Sequence, residues 1–79
     1  MAQENKKLDA LAMMDLNLSI SELYDQLEKL FTKQSLLYLG AGMTASAEQR
    51  ANSSRSMHKA SQLFLEHNRE LERANRPHD

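Results

Sequence analysis

Met13, Leu16, Ile20, Leu23, Leu27, Leu30, Gln34 and Leu37 succeed one another at alternating spacings of three and four, and no other local pattern in the chain constrains its fold as tightly. At 3.6 residues per turn, that alternation keeps one narrow stripe turned towards a neighbouring helix as the two wind together. A helix lying alone on a protein surface needs only a looser apolar face. The repeat therefore predicts a helix and a partner for it. Tyr24, Phe31 and Tyr38 recur every seven residues beside the stripe, widening the apolar face to about three positions in seven. A face that broad suits a bundle, with one flank meeting a helix of the same chain and the other a helix of a second chain.

The boundaries follow from turn and capping chemistry. Gly40-Ala41-Gly42 comes directly after the apolar run Leu36-Leu37-Tyr38-Leu39, and a glycine there can take the left-handed conformation that closes a helix. Ser46 with Gln49 fits a capping box for a second helix, and Pro77 stands where a helix has ended. The expected single domain 1–79 thus has a first helical region over 6–39, a turn at 40–44, a second helix over 45–75 and a tail at 76–79. Two readings of the first region stand side by side. It runs unbroken from about Lys6, or a second capping box, Ser19-Ile20-Ser21-Glu22, breaks it near 15–19 and leaves a short extra N-terminal helix. The alternation over Asp15 to Ser21 also suits a strand, but the chain offers no second strand to pair with it. The fold class is all-α: a helical hairpin of two long antiparallel helices, self-associating as a dimeric bundle.

The second helix is built differently. Met57, Phe64 and Leu71 repeat at seven with Ala60, Leu63 and Ala74 beside them, while Ala45, Ala47, Ala51, Ser53, Ser54 and Ser56 crowd its first half. Small residues there leave room for large side chains from the Tyr38 end of the first helix. The expected core and dimer seam is therefore Leu16, Ile20, Leu23, Leu27, Leu30, Phe31, Gln34, Leu37, Met57, Phe64 and Leu71. Gln34 is its one polar member, and a polar residue at such a position selects register or oligomer state at a cost in stability, unless it simply reaches water near the helix end.

Composition narrows the function. A chain of 79 residues with 5% aromatic content supports only a small core, and domains of this size lean on staples or partners. It has no cysteine, which removes disulfides and thiolate metal sites and agrees with a reducing compartment. Charges at Glu4, Lys6, Lys7, Asp9 and Asp15 break up the first residues, and the longest apolar stretch, around Leu36 to Ala47, is interrupted by glycines. Neither a secretory segment nor a membrane span is expected, and the location inferred is cytoplasmic.

Chemical signatures are missing from the pattern. His58, His67 and His78 lie nine and eleven apart, where metal ligation on one helical face wants spacings of three or four. A nucleophilic serine needs a base and an orienting carboxylate held by a rigid framework, and a two-helix chain offers little concavity for either; Gly40-Ala41-Gly42 lacks the third glycine and preceding strand of a phosphate loop. We expect no enzyme activity, cofactor or metal. Arg50, Arg55 and Lys59 lie in a stretch with no acid between Glu48 and Glu66, read first as a solvated face, then as a docking surface for an acidic protein, and last as a phosphate-binding surface. The net charge of −1 argues against general attraction to nucleic acid.

Met13 and Met14 with Leu8, Leu11, Leu16 and Leu18 leave more apolar surface on the N-terminal segment than one hairpin can cover, with Leu11 and Leu18 on the side away from the main stripe. In plan, residues 20–75 resemble small helical-hairpin proteins of three kinds: co-chaperones of type III secretion needle subunits, RNA-binding regulators of plasmid copy number, and phage-encoded inhibitors of bacterial proteins. The resemblance is one of architecture, which does not set function. The leading expectation is a homodimeric, non-enzymatic regulator, inhibitor or co-chaperone that binds a protein target through Leu8, Leu11, Met14 and Leu18. The alternatives are a nucleic-acid-binding hairpin dimer using Arg50, Arg55 and Lys59, and a structural subunit of a larger assembly.

Overall fold

The computed structural model describes residues 8–74. Two helices of equal length, α1 (Ala10–Gly40) and α2 (Thr44–Ala74), pack against each other as an antiparallel hairpin. The helix start expected near Lys6, and the tail with Pro77 and His78, lie outside the described residues.

Within the described residues α1 begins at Ala10, capped by Asp9. The Asp9 carboxylate accepts the Ala12 N–H at 3.0 Å, a donor that a helix start otherwise leaves open, and its carbonyl accepts the Met13 N–H at 3.0 Å in the first regular bond of the helix. From there α1 continues without a break through 15–19. The Ser19-Glu22 capping box is not used, and Ser21 turns to α2 instead, its hydroxyl 2.6 Å from that of Ser61.

The turn is a Schellman closure. Met43 N–H reaches the Tyr38 carbonyl at 2.9 Å and Gly42 N–H the Leu39 carbonyl at 3.0 Å, the 6→1 and 5→2 bonds of that motif. Gly42 carries the left-handed conformation it requires, with φ 77, while Gly40 stays inside α1.

Between the helices runs a seam of small and polar residues. Ala47, Ser54, Ser61 and Asn68 are buried on α2, each seven residues from the next, and Asn17, Ser21 and Ser35 are buried on α1. Short side chains let two backbones approach closely, but an unpaired hydroxyl or amide enclosed there would cost roughly 1–3 kcal/mol. None is left unpaired. Asn17 donates to Asn68 Oδ1 at 2.9 Å, and Asn68 donates to the Met14 carbonyl at 3.0 Å. The Thr32 and Ser54 hydroxyls are 2.8 Å apart, Ser54 also reaches the Glu28 carbonyl at 3.2 Å, and Ser35 donates to the Ala47 carbonyl at 2.8 Å. Among the described residues, every buried side-chain nitrogen and oxygen has a hydrogen-bond partner.

Larger groups border this seam. Tyr24 stacks on Phe64 with ring centroids 5.9 Å apart, and Phe31, Tyr38, Met57 and Leu71 are, like those two, half-buried. The hairpin measures only 15 Å through its thinnest dimension, a single layer of helices. Each helix therefore covers one side of the other and no more. Within one chain α1 faces α2 with Asn17, Ser21 and Ser35, and the leucine stripe expected as core or dimer seam is turned to the side. Leu16, Leu23, Leu27, Leu30 and Leu37 are 40–75% exposed, Gln34 is exposed and Ile20 is half-buried.

Candidate interaction surface

The most distinctive surface is the leucine stripe itself. Met13, Ile20, Leu27 and Gln34 form one row and Leu16, Leu23, Leu30 and Leu37 the next, about 60° apart around α1. Ile20, Leu23, Tyr24 and Leu27 line one open groove along it. At the open end of the hairpin, Met13 and Asn17 share a groove of about 370 Å³ with His67, Leu71 and Ala74 of α2. The stripe thus continues onto the side of α2 that carries Phe64 and Leu71, where the His67 ring lies 6.2 Å from that of Phe64. Beyond its outer edge α1 presents Asp15 and Glu22 towards the open end and Lys29 and Lys33 towards the turn, all exposed.

The second apolar strip lies on the far side of α1. Leu11 and Leu18 are 73% and 46% exposed. Met14, between them in the three-four spacing, is half-buried and supplies the carbonyl that accepts from Asn68. Leu8 is exposed but precedes α1, outside the helical face its spacing suggested.

The basic residues do not converge. Arg50 is half-buried and stands about 140° around α2 from Arg55 and about 180° from Lys59. Arg55 bonds Asn52, and beside it His58 Nδ1 lies 3.4 Å from Glu28 Oε1, so a carboxylate sits within the basic stretch. Only Arg55 and Lys59 share a face.

Catalytic geometry is equally limited. Ser21, Ser35, Ser54 and Ser61 spend their hydroxyls on each other, on Thr32 and on carbonyls, none of them on a histidine or carboxylate that could serve as base. Among the described residues, no group of three or more histidines, aspartates or glutamates lies close enough to hold a metal ion, and no helix is long and apolar enough to cross a membrane.

The residues that sequence pattern missed are those holding the hairpin together, above all Asn17 and Asn68. One signal for them was present: Ala47, Ser54, Ser61 and Asn68 keep a strict seven-residue spacing. It was obscured because asparagine and serine ordinarily mark the wet side of a helix. Compared with protein-family models, with curated proteins and with solved structures, the chain matches none of them.

Proposed function

We propose that this chain is a non-enzymatic interaction protein, a hairpin that pairs with itself and binds a protein target through helix–helix contacts, acting as a regulator, inhibitor or co-chaperone. One observation carries this reading. α1 meets α2 along small polar residues bordered by aromatics, and it holds a heptad stripe, leucine and isoleucine apart from Met13 and Gln34, on another side, largely exposed. Unbroken spacing of that kind costs solubility unless a helix covers it. Binding energy would come from apolar anchors, and the dispersed charges would influence encounter rather than affinity.

Two apolar strips on opposite sides of α1 give the protein two surfaces to use. The leucine stripe, the longer one, serves assembly, and Leu11, Met14 and Leu18 serve the target. The variant Leu11→Asp/Leu18→Asp should keep the helicity of the native chain by circular dichroism, since both side chains are exposed, and should lose the protein captured by the native chain from its own cell extract. Capture of the same protein at undiminished yield would remove these residues from the target-binding role.

A further inference from the structure

We infer that the occupant of the leucine stripe is a second copy of this chain, lying antiparallel along it so that α1 packs on α1 and α2 on α2 around a two-fold axis near Asp25. The inference rests on the reading of the chain as a self-pairing interaction protein and adds the surface and orientation of that pairing.

Charge is the first argument. In an antiparallel pairing of the stripe, residues whose numbers sum to about 50 come level: Met13 with Leu37, Leu16 with Gln34, Ile20 with Leu30, and Leu23 with Leu27 of the copy. Beyond the outer leucine row, α1 is acidic in its first half, at Asp15 and Glu22, and basic in its second, at Lys29 and Lys33, with Lys33 next to that row and the other three about 100° around the helix from it. The same register brings Glu22 level with Lys29 of the copy and Asp15 close to the level of Lys33. Parallel pairing of the same stripe sets each of these charges beside its own copy. Laying α1 on α2 of the copy puts Asp15 near the level of Glu70 and gives Lys29 and Lys33 only Gln49, Ser53 and Ser56 along the matching edge of α2. Of the three arrangements, only the antiparallel α1 pairing brings unlike charges level on the outer side of α1, where they act at longer range than a contact pair and favour this orientation over the other two.

The second argument comes from α2. The level of Asp25 lies between the Ser21–Ser61 and Thr32–Ser54 contacts, and there α2 carries Ala60, half-buried, on the side shared with Met57 and Phe64. The axis that centres the α1 pairing therefore passes near the smallest residue on that side of α2, which lets α2 approach its copy closely, with Met57 near the level of Ala60 of the copy. Area agrees. Helices of 31 residues are about 46 Å long, and two side by side offer a face on the order of 900 Å², enough for the ~800 Å² per partner of a stable interface.

The chain has no cysteine, so single introduced ones report orientation directly. Light scattering of the full chain should give twice its 9.0 kDa mass. With a short bis-maleimide linker, Ser19→Cys and Lys33→Cys should each stay unlinked alone and should give a linked heterodimer when refolded as a mixture, because residues 19 and 33 come level only across the antiparallel pair. The charge-reversed Lys29→Glu/Lys33→Glu should raise the dimer dissociation constant by ~10-fold or more. Linking of either single variant alone, or no linking in the mixture while the mass remains that of a dimer, overturns the orientation. A monomer mass across the accessible concentration range overturns self-pairing, and target capture that depends on Leu11 and Leu18 would then still uphold the interaction reading.

Discussion

At the residue scale, the interior of this hairpin is decided by groups that ordinarily face water. Asn17 and Asn68 are 6% and 8% exposed and bonded to each other, and Asn68 also bonds the Met14 carbonyl. The pair works as a positional lock: only one sliding register of the two helices brings both amides together, and any other leaves them buried without partners. Asn68→Ala orphans the Asn17 amide and should lower the unfolding free energy by ~1–3 kcal/mol, read from the urea midpoint. Asn17→Leu/Asn68→Leu removes both partners and should fall nearer to neutral, because no enclosed polar group is left unsatisfied. A double variant as unstable as Asn68→Ala would show that the space, not the hydrogen bond, sets the requirement. Ser21 and Ser61 act similarly at shorter reach, with Ser61 only 1% exposed.

At the scale of the element, α1 and its termini were partly legible before the structure. The glycine pair marked the turn, but which glycine closes the helix depends on the Schellman bonds, which only the folded backbone displays. Gly42 holds φ 77 and Gly40 does not leave the helix, and a Cβ added at either meets open space. Substitution should therefore act through backbone conformation alone, and in opposite directions. Gly42→Ala should destabilise by ~1–2 kcal/mol, the cost of a left-handed L-residue, whereas Gly40→Ala should stabilise by up to ~1 kcal/mol. Thermal melts of the two variants against the native chain give both signs in one experiment. The capping box at Ser19 misleads for a physical reason: leaving the helix there would cost Ser21 and Asn17 their places in the seam, and a side-chain cap worth about 1 kcal/mol does not offset that loss.

Across the whole molecule, the governing fact is thinness. A single layer of two helices encloses only small side chains, so the interhelical seam is closed by short hydrogen bonds and bordered by Tyr24, Phe64 and their neighbours, while Leu16, Leu23, Leu27, Leu30 and Leu37 remain at the surface. Self-pairing that buries this face makes stability depend on concentration, because mass action favours the associated state. The thermal midpoint of the native chain should fall measurably on each tenfold dilution, and that of Leu23→Glu/Leu30→Glu should not. A midpoint of the native chain that is independent of concentration would mean the hairpin carries its own stability with the leucines exposed.

Some of this was set by the sequence alone. Leucines at alternating three-four spacing, the glycine-rich break and the small residues of the second helix already specify two long helices and a hairpin, because each is a local property of the chain: period, turn conformation and side-chain size. The assignment of faces was decided only in the tertiary structure. α1 carries two interleaved repeats, one of Leu and Ile and one of Asn, Ser and aromatics, and apolar content alone favours the first as the core. Within one chain, packing set the second repeat between the helices. Two helices joined by a tight turn approach most closely along small side chains whose polar atoms can satisfy one another, and that complementarity belongs to pairs such as Asn17 with Asn68, 51 residues apart, and to neither residue by itself.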